Sequence, residues 1–599
     1  MIEYSLVDIV AQLTDIGLSS VDIPVIAPPA IFILAIALIL PALSRRVGHG
    51  LGVLVTAGVA IMSLFIRDGT YLAVNFLGFD AVLLFVDSFS RLMGVIFGTI
   101  GAAAVVYSYS SNATNRQTAF ALGYVGTSIG SVFAGDWLTL IFFWELMAVT
   151  SSLLVWDYGG EAVRAGFRYA IYHGVGGSLL LAAIIWQYVE VGSFLFSASQ
   201  GLTAGVPAVL GAIGIGVNVG FVGLHPWLPD TYPRPHIAAS VFLSVYTTKT
   251  GVYGLARAFP NGNLAVAYMG TAMALVGVIY ALLQNDMRRL LSYHIQSQVG
   301  YMVAGVGIGT ALATAGAFAH VFNHILYKAL LFMTAGVVIA GTQEENLKYL
   351  GGLKNALPLT GLAFVIAALS ISGFPGFNGF VSKGMITGAA HKKHLDGIFY
   401  ILLAAGVGTF MSFIKFGYYA FVREAESVTP VQSSRTGQRV AMLSVAGLCV
   451  LFGLFPEMLF SILPGSTAKA DPFTLSHLSE GAILATLGII GFAVLKKPLS
   501  KITDVPDIDR IVHPAVFYAT RGLVRGTTEI FALVDALLVR LSSEAIDTIN
   551  NPARVTNVVP GFQSEQAPAE IRSSGVNIGT GALLVVLTAV MTLTLTILM

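Results

Sequence analysis

Residues 317–332 read AFAHVFNHILYKALLF, and this stretch decides what kind of protein the rest must be. It lies in an apolar run from roughly 311 to 340, long enough to cross about 30 Å of hydrocarbon, which takes about 20 mainly apolar residues. His320, His324 and Lys328 interrupt the run at intervals of four, which stacks all three on one stripe of an α-helix. An ionisable side chain at the centre of a membrane helix costs about 2.5 to 3.5 kcal/mol on insertion scales, so each one needs a use. Side chains one turn apart stand about 5 to 6 Å apart at Cβ, a gap that water can bridge between two imidazoles and an ammonium. Histidine titrates near neutrality and desolvation eases proton release from lysine, so the stripe can relay protons. The two histidines could also ligate a metal, but no acidic third ligand accompanies them and Lys328 would repel a cation, so no metal is expected.

The rest of the chain belongs to the same solvent. Of its 599 residues 56% are hydrophobic and 11% charged, against about a quarter charged in a soluble domain. Lys plus Arg (32) nearly balances Asp plus Glu (31), and no basic block is long enough to grip a nucleic acid. The partners expected are other integral membrane subunits and lipid. Cys449 is the single cysteine, which excludes internal disulfides, iron–sulfur ligation and cysteine zinc sites. No cofactor is expected, and no catalytic residue for covalent chemistry stands out.

About sixteen stretches are long enough to span. They fall at roughly 25–43, 50–66, 81–109, 117–134, 137–156, 168–189, 206–224, 237–257, 264–283, 293–309, 311–340, 357–383, 397–422, 439–463, 479–495 and 576–598. The first 24 residues lack a basic n-region and do not read as a cleaved signal peptide. Arg45, Arg46, Arg116, Arg164, Arg168, Arg234, Arg288, Arg289, Lys348, Lys354, Arg423, Arg435, Arg439, Lys496, Lys497 and Lys501 all fall on one side of this arrangement. Only Arg67, Arg257, Lys392, Lys393 and Lys469 fall on the other, so the positive-inside rule puts both termini away from the cytoplasm. The cluster HKKH at 391–394 is on the wrong side, a sign that a span near 380–400 is broken or re-entrant. From about 503 to 560, charges including Asp509, Arg521, Glu529, Asp535 and Arg540 alternate with apolar residues, which suits an amphipathic helix along the membrane surface.

Further buried charge gathers around the stripe. Glu145 sits in LTLIFFWELMAVTSSLLV, Lys249 in VFLSVYTTKTGVYG, and Lys383 closes SISGFPGFNGFVSK. Prolines crowd GLHPWLPDTYPRPH just after one span, and Pro375 lies among glycines within another. Such breaks free backbone groups at membrane depth, tolerated only inside protein or along a wet cavity. A pair of interrupted segments, near 225–235 and 373–379, is the mark of an inverted-repeat transporter.

These motifs resemble the antiporter-like membrane subunits shared by respiratory complex I, membrane-bound hydrogenases and multisubunit Mrp cation/proton antiporters. FFWELM at 142–147, LHPWLPD at 224–230, TKTGVY at 248–253, NDMRRLLSYHIQSQVGYM at 285–302, HVFNHILYKALLF at 320–332 and GFPGFNGFVSK at 373–383 carry the resemblance, in the family's order, over about 120 to 390. TKTGVY and SYHIQSQVGYM are most similar to the Mrp D-type subunit, whereas a surface helix followed by a final span looks like the family's longest members. The resemblance implies an all-α polytopic fold with two inverted five-helix repeats. N-terminal spans would occupy 1–116, the first repeat 117–260, the second 261–424, additional spans 425–500, the lateral helix and linker 501–575, and a last span 576–599. It implies a polar axis of Glu145, Lys249, His320, His324, Lys328 and Lys383 that moves protons, exchanged against sodium in an Mrp-like complex. Redox chemistry on other subunits would drive it in a complex I-like or hydrogenase-like one, and a non-conducting structural arm is a third reading. Members of the family usually carry a lysine nine residues ahead of the tryptophan of LHPWLPD; here that position is Asn218. Glu145 is therefore expected to have no directly paired Lys or Arg, with Asn218 lining the same cavity and Lys249 as the nearest cation, unless Arg164 or Arg168 reaches in.

Overall fold

The computed structural model describes residues 27–424, 431–464, 471–502 and 505–550. Its helices run in the order α1 (Pro29–Ile39), α2 (Arg45–Phe65), α3 (Ser88–Ser110), α4 (Asn115–Phe133), α5 (Trp137–Trp156), α6 (Glu161–Val191), α7 (Val206–Val219), α8 (Trp227–Thr231), α9 (Ile237–Leu243), α10 (Thr247–Ala258), α11 (Leu264–Leu283), α12 (Met287–Ile308) and α13 (Ala311–Thr342). There follow α14 (Leu353–Ala356), α15 (Pro358–Ser372), α16 (Asn378–Lys392), α17 (Asp396–Gly417), α18 (Thr436–Leu454), α19 (Glu457–Phe460), α20 (Leu475–Lys501) and α21 (Asp509–Asn550).

Polar residues at the ends set these boundaries. Asp87, Thr114, Asp136, Asp286 and Thr310 cap the amide ends of α3, α4, α5, α12 and α13, each accepting from a backbone N–H of the first turn. Asp136 also accepts from Val82 N at 2.6 Å, which ties the start of α5 to the loop ahead of α3. That loop holds the one departure from the expected all-helical pattern among the described residues. Two short antiparallel ladders pair β1 (Gly69–Thr70) with β4 (Phe85–Val86) and β2 (Ala73–Phe76) with β3 (Phe79–Val82). Leu77 and Gly78 both take positive φ, as a two-residue hairpin loop requires. The span expected from 81 therefore begins at Ser88 instead, because strands occupy most of 79–86.

Nine helices among the described residues are each long and apolar enough to cross a bilayer, with shorter apolar ones at Pro29–Ala42, Val206–Val219 and Pro358–Ser372. The count of sixteen is not reached on those criteria, and the last expected span, 576–598, lies outside the described residues, as do residues 1–24. Central helices fall short because they need no lipid-facing surface. All of α12 is buried apart from Arg289, so its serines, glutamines and His294 face protein. The most apolar stretch of α13 is 83% buried and that of α20 only 17%, with Ile483, Leu487, Ile490 and Val494 facing outward. Membrane helices lack a hydrophobic drive to associate, so close backbone approach matters. A Cβ on Gly270 would come within 2.3 Å of Ala304 N and one on Gly307 within 2.2 Å of Ala267 N, so α11 and α12 meet backbone to backbone.

The order of helices recurs along the chain. A 31-residue helix (α6) precedes the broken α7–α8 segment, and a 32-residue helix (α13) precedes the broken α15–α16 segment. The break beside HKKH is at 373–377, ahead of the cluster; HKKH itself closes α16, where His394 takes a φ of 57°. The long helix α21 runs unbroken for 42 residues, about 63 Å at helical rise, and carries Asp, Glu and Arg among exposed apolar side chains.

Candidate functional site

Three breaks in the bundle leave helix-end carbonyls at depth, and buried lysines answer two of them. Between α9 and α10 the chain kinks at Ser244–Tyr246, and the ammonium of Lys249, fully buried, donates to the Ser244 carbonyl. Between α15 and α16, Gly373 takes a φ of +80° that ends α15, and Lys383 Nζ donates to Ile371 O at 2.7 Å. A cation at the carboxyl end of a helix is also favoured by its dipole. At the remaining break, after α7, Gly220 takes a φ of +77°, but the indole of Trp227 caps Val217 O at 2.9 Å.

The stripe on α13 lies beside this machinery. His320, His324 and Lys328 are fully buried, and the rings of His320 and His324 are 6.3 Å apart. His320 Nδ1 is 2.9 Å from Ser382 Oγ, next to Lys383, while its Nε2 is 3.3 Å from Tyr327 OH. Lys383 Nζ stands 4.9 Å from the centre of the Tyr301 ring. Lys249, Lys328 and Lys383 all lie close enough to His324 to act on it electrostatically. The structure thus brings Lys249, the stripe and Lys383 into one buried polar file made by α10, α13 and α16.

Several atoms in this file find no partner among the described residues: both ring nitrogens of His324, Lys328 Nζ and the amide oxygen of Asn323. A buried polar atom of this kind is ordinarily met by internal water. Three buried lysines together cost about 8 to 10 kcal/mol on insertion scales, comparable with the whole stability of a domain, about 5 to 15 kcal/mol.

Glu145 lies apart from them, on α5. It is half-buried rather than sealed, because the neighbouring positions Phe142 and Val149 face outward. Its Oε1 has no hydrogen-bond partner among the described residues and is pressed against α6 at Gly177, where an added Cβ would sit 1.5 Å from it. No Lys or Arg pairs with Glu145 among the described residues. Arg168 is held by Asp230 through two bonds, 2.6 and 2.8 Å, and Arg164 points to the exterior. Asn218 is fully buried and faces His173 on α6, Oδ1 to Nδ1 2.8 Å. Gly251, two residues past Lys249, packs on Asn218.

The expected polar axis leaves out other buried ionisable residues, among them His173, His294 and Lys415. His173 lies in YAIYHGVGG, and the rule that an ionisable residue inside a span needs a use would find it. His294, fully buried with neither ring nitrogen bonded, is masked by the serines and glutamines around it. Lys415 donates to Leu282 O at 2.9 Å and Gln284 O at 2.6 Å, which makes it a cap for α11.

The family model described as "NADH:quinone oxidoreductase/Mrp antiporter, TM" matches residues 134–412, which span α5 to α17 and so include every one of these side chains except Lys415. The D-type subunit of the Na(+)/H(+) antiporter of Alkalihalophilus pseudofirmus is 28% identical over 474 residues, 74% of this chain and 94% of that one. An uncharacterised protein of Methanocaldococcus jannaschii is 30% identical over 353 residues, 55% of this chain and 73% of the other. Among solved structures, a chain of the membrane-bound sulfane sulfur reductase, an archaeal respiratory membrane complex, superposes with a TM-score of 0.66 at 23% identity, covering 94% of this chain and 99% of that chain. The motifs, the polar file and these matches converge: the chain belongs to the NADH:quinone oxidoreductase/Mrp antiporter family of membrane subunits.

Proposed function

We propose that this chain is the proton-translocating subunit of a multisubunit cation/proton antiporter, with sodium as the exchanged cation. The observation that carries the reading is the buried file of Lys249, His320, His324, Lys328 and Lys383, in which ring nitrogens and an ammonium are left for water to meet. Lys249 and Lys328 are both buried in the file, where two ammonium groups repel, so a proton gained by one favours release from the other. Ser382 and Tyr327 hold the His320 ring between the α13 stripe and Lys383. Glu145 is the carboxylate end of the axis. In this reading 117–260 and 261–424 are the two inverted repeats, both termini face away from the cytoplasm, and the partners are other integral membrane subunits. The chain itself makes and breaks no covalent bond and needs no resident cofactor.

A redox-driven membrane complex is the second reading. It is favoured by one observation: the structural likeness to the sulfane sulfur reductase chain extends over 94% of this chain, whereas that to a chain of the Mrp complex of Dietzia sp. DQ12-45-1b extends over 80%. The test is proton movement in everted membrane vesicles containing the assembled complex. Sodium added without any electron donor should dissipate an imposed proton gradient, and Glu145→Gln should remove that response at normal protein abundance. A response that needs an electron donor favours the redox-driven reading, and normal transport in Glu145→Gln makes the carboxylate structural.

A further inference from the structure

Resting on the proton-translocating reading, we propose that His173 is the proton-carrying partner of Glu145, with Asn218 as the residue that positions it. The first half of the axis then runs on an imidazole where the second half runs on lysines.

His173 is 1% exposed, on α6. Its ring lies between Tyr169 and Trp227, at centroid distances of 4.1 and 4.6 Å, so its plane is set by packing. Nδ1 lies 2.8 Å from Asn218 Oδ1. An amide oxygen only accepts, so this contact puts the hydrogen of the neutral ring on Nδ1 and leaves Nε2 as an acceptor. Nε2 has no hydrogen-bond partner among the described residues. A ring kept only for packing has no use for an unmet nitrogen in a buried site.

The nearest candidate for that nitrogen is set by α6 itself. Gly177 is one turn on from His173 and therefore on the same stripe, and it is the residue whose missing side chain makes room for Glu145 Oε1. That oxygen also has no partner. Positions one turn apart are separated by about 5 to 6 Å at Cβ, a span that one water bridges. A proton on Glu145 can thus reach Nε2, and the imidazolium that forms gives the carboxylate the cation it otherwise lacks, since Arg168 is committed to Asp230. On the far side, Asn218 Nδ2 is buried without a partner and its Cβ packs beside Gly251, two residues from Lys249, which leads inward to the lysine file. The titratable group in ring contact with His173 is Tyr169 on its own helix; Glu145 on α5 is approached through Gly177, and Lys249 on α10 through Asn218 and Gly251.

The experiment compares three variants in everted vesicles of the assembled complex, with protein abundance measured in each: His173→Gln, His173→Ala, and His173→Ala combined with Asn218→Lys. Glutamine keeps the size and can still bond Asn218 but cannot carry a proton, so His173→Gln should lose about a hundredfold in transport, the low end of what a positioned acid–base group supplies. A primary ammonium at 218 should restore most of the transport lost in His173→Ala, because it returns a proton-carrying cation to the same buried site. Wild-type transport in His173→Gln overturns the proposal. So does loss in both single variants without recovery in the double one, which is what a structural role gives. Lys328→Met, run alongside, separates the two levels: if it transports normally the translocation reading itself fails, whereas if it is inactive and His173→Gln is normal, only the role of His173 fails.

Discussion

The two halves of the polar axis solve one problem with different chemistry. In the second half, cations are sealed in protein and anchored on the free carbonyls of interrupted helices: Lys249 on Ser244, and Lys383 on Ile371. In the first half, the interrupted helix α7 is capped by the Trp227 indole, the family's lysine position holds Asn218, and the ionisable groups are a half-buried carboxylate and an imidazole. A broken helix needs a donor at its carbonyl end, and any donor will do. Whether that donor also carries charge decides whether the break is part of a relay or only a turn.

The strongest test of this contrast removes a cation from the sealed half. Lys328→Met should reduce transport by about a hundredfold or more at unchanged abundance, because methionine fills the space but carries no proton. Sodium-driven proton flux in vesicles measures it, and near-normal flux would erase the distinction between the halves.

A smaller effect is expected in the first half from a change that leaves every charge in place. Gly177→Ala puts a methyl group where Glu145 Oε1 now lies, so the carboxylate must swing away from α6. Transport should fall about tenfold, while stability changes by about 1 kcal/mol or less because the displaced group is the end of a flexible side chain. Flux in vesicles and thermal unfolding of the detergent-solubilised complex check both parts.

Single histidine changes on the stripe should do less. His324→Gln leaves His320 held by Ser382 and Tyr327, and water can take over from one lost imidazole, so a loss of a few-fold is expected, about 1 kcal/mol in barrier terms. A loss as large as that of Lys328→Met would mean that no water path bypasses the ring.

The smallest effect lies outside the spans. Burial pushes the Asp507 carboxyl up, but the adjacent His225, the Tyr293 hydroxyl and the Ile508 amide outweigh burial and hold it below the ordinary carboxylate range. A depressed value stabilises the folded form above about pH 4 and stops doing so as the pH falls through the depressed value. Asp507→Asn should therefore cost about 1 kcal/mol near neutrality, and less in acid, which unfolding measured across pH would register. An equal cost at every pH would mean that the amide keeps the same hydrogen bonds.

Much of this could be read in one dimension. Composition and span length determined the solvent, and the four-residue spacing of His320, His324 and Lys328 determined a shared helix face, because helical periodicity is local. The glycines and prolines of GFPGFNGF marked the break, since a positive φ at Gly373 is a property of the residue itself. Other features needed the third dimension. That α4 and α12 are enclosed by other helices cannot be read from hydropathy, because a helix surrounded by protein has no lipid to match. Nor does the sequence say that Lys249 and Lys383 would each find a carbonyl, that Lys415 is a cap, or that Glu145 would lie against Gly177 and Asn218 against His173. Those pairings join residues up to 133 positions apart, as between Lys415 and Leu282, and only the packing of helices, which is set by shape and not by periodicity, brings such atoms together.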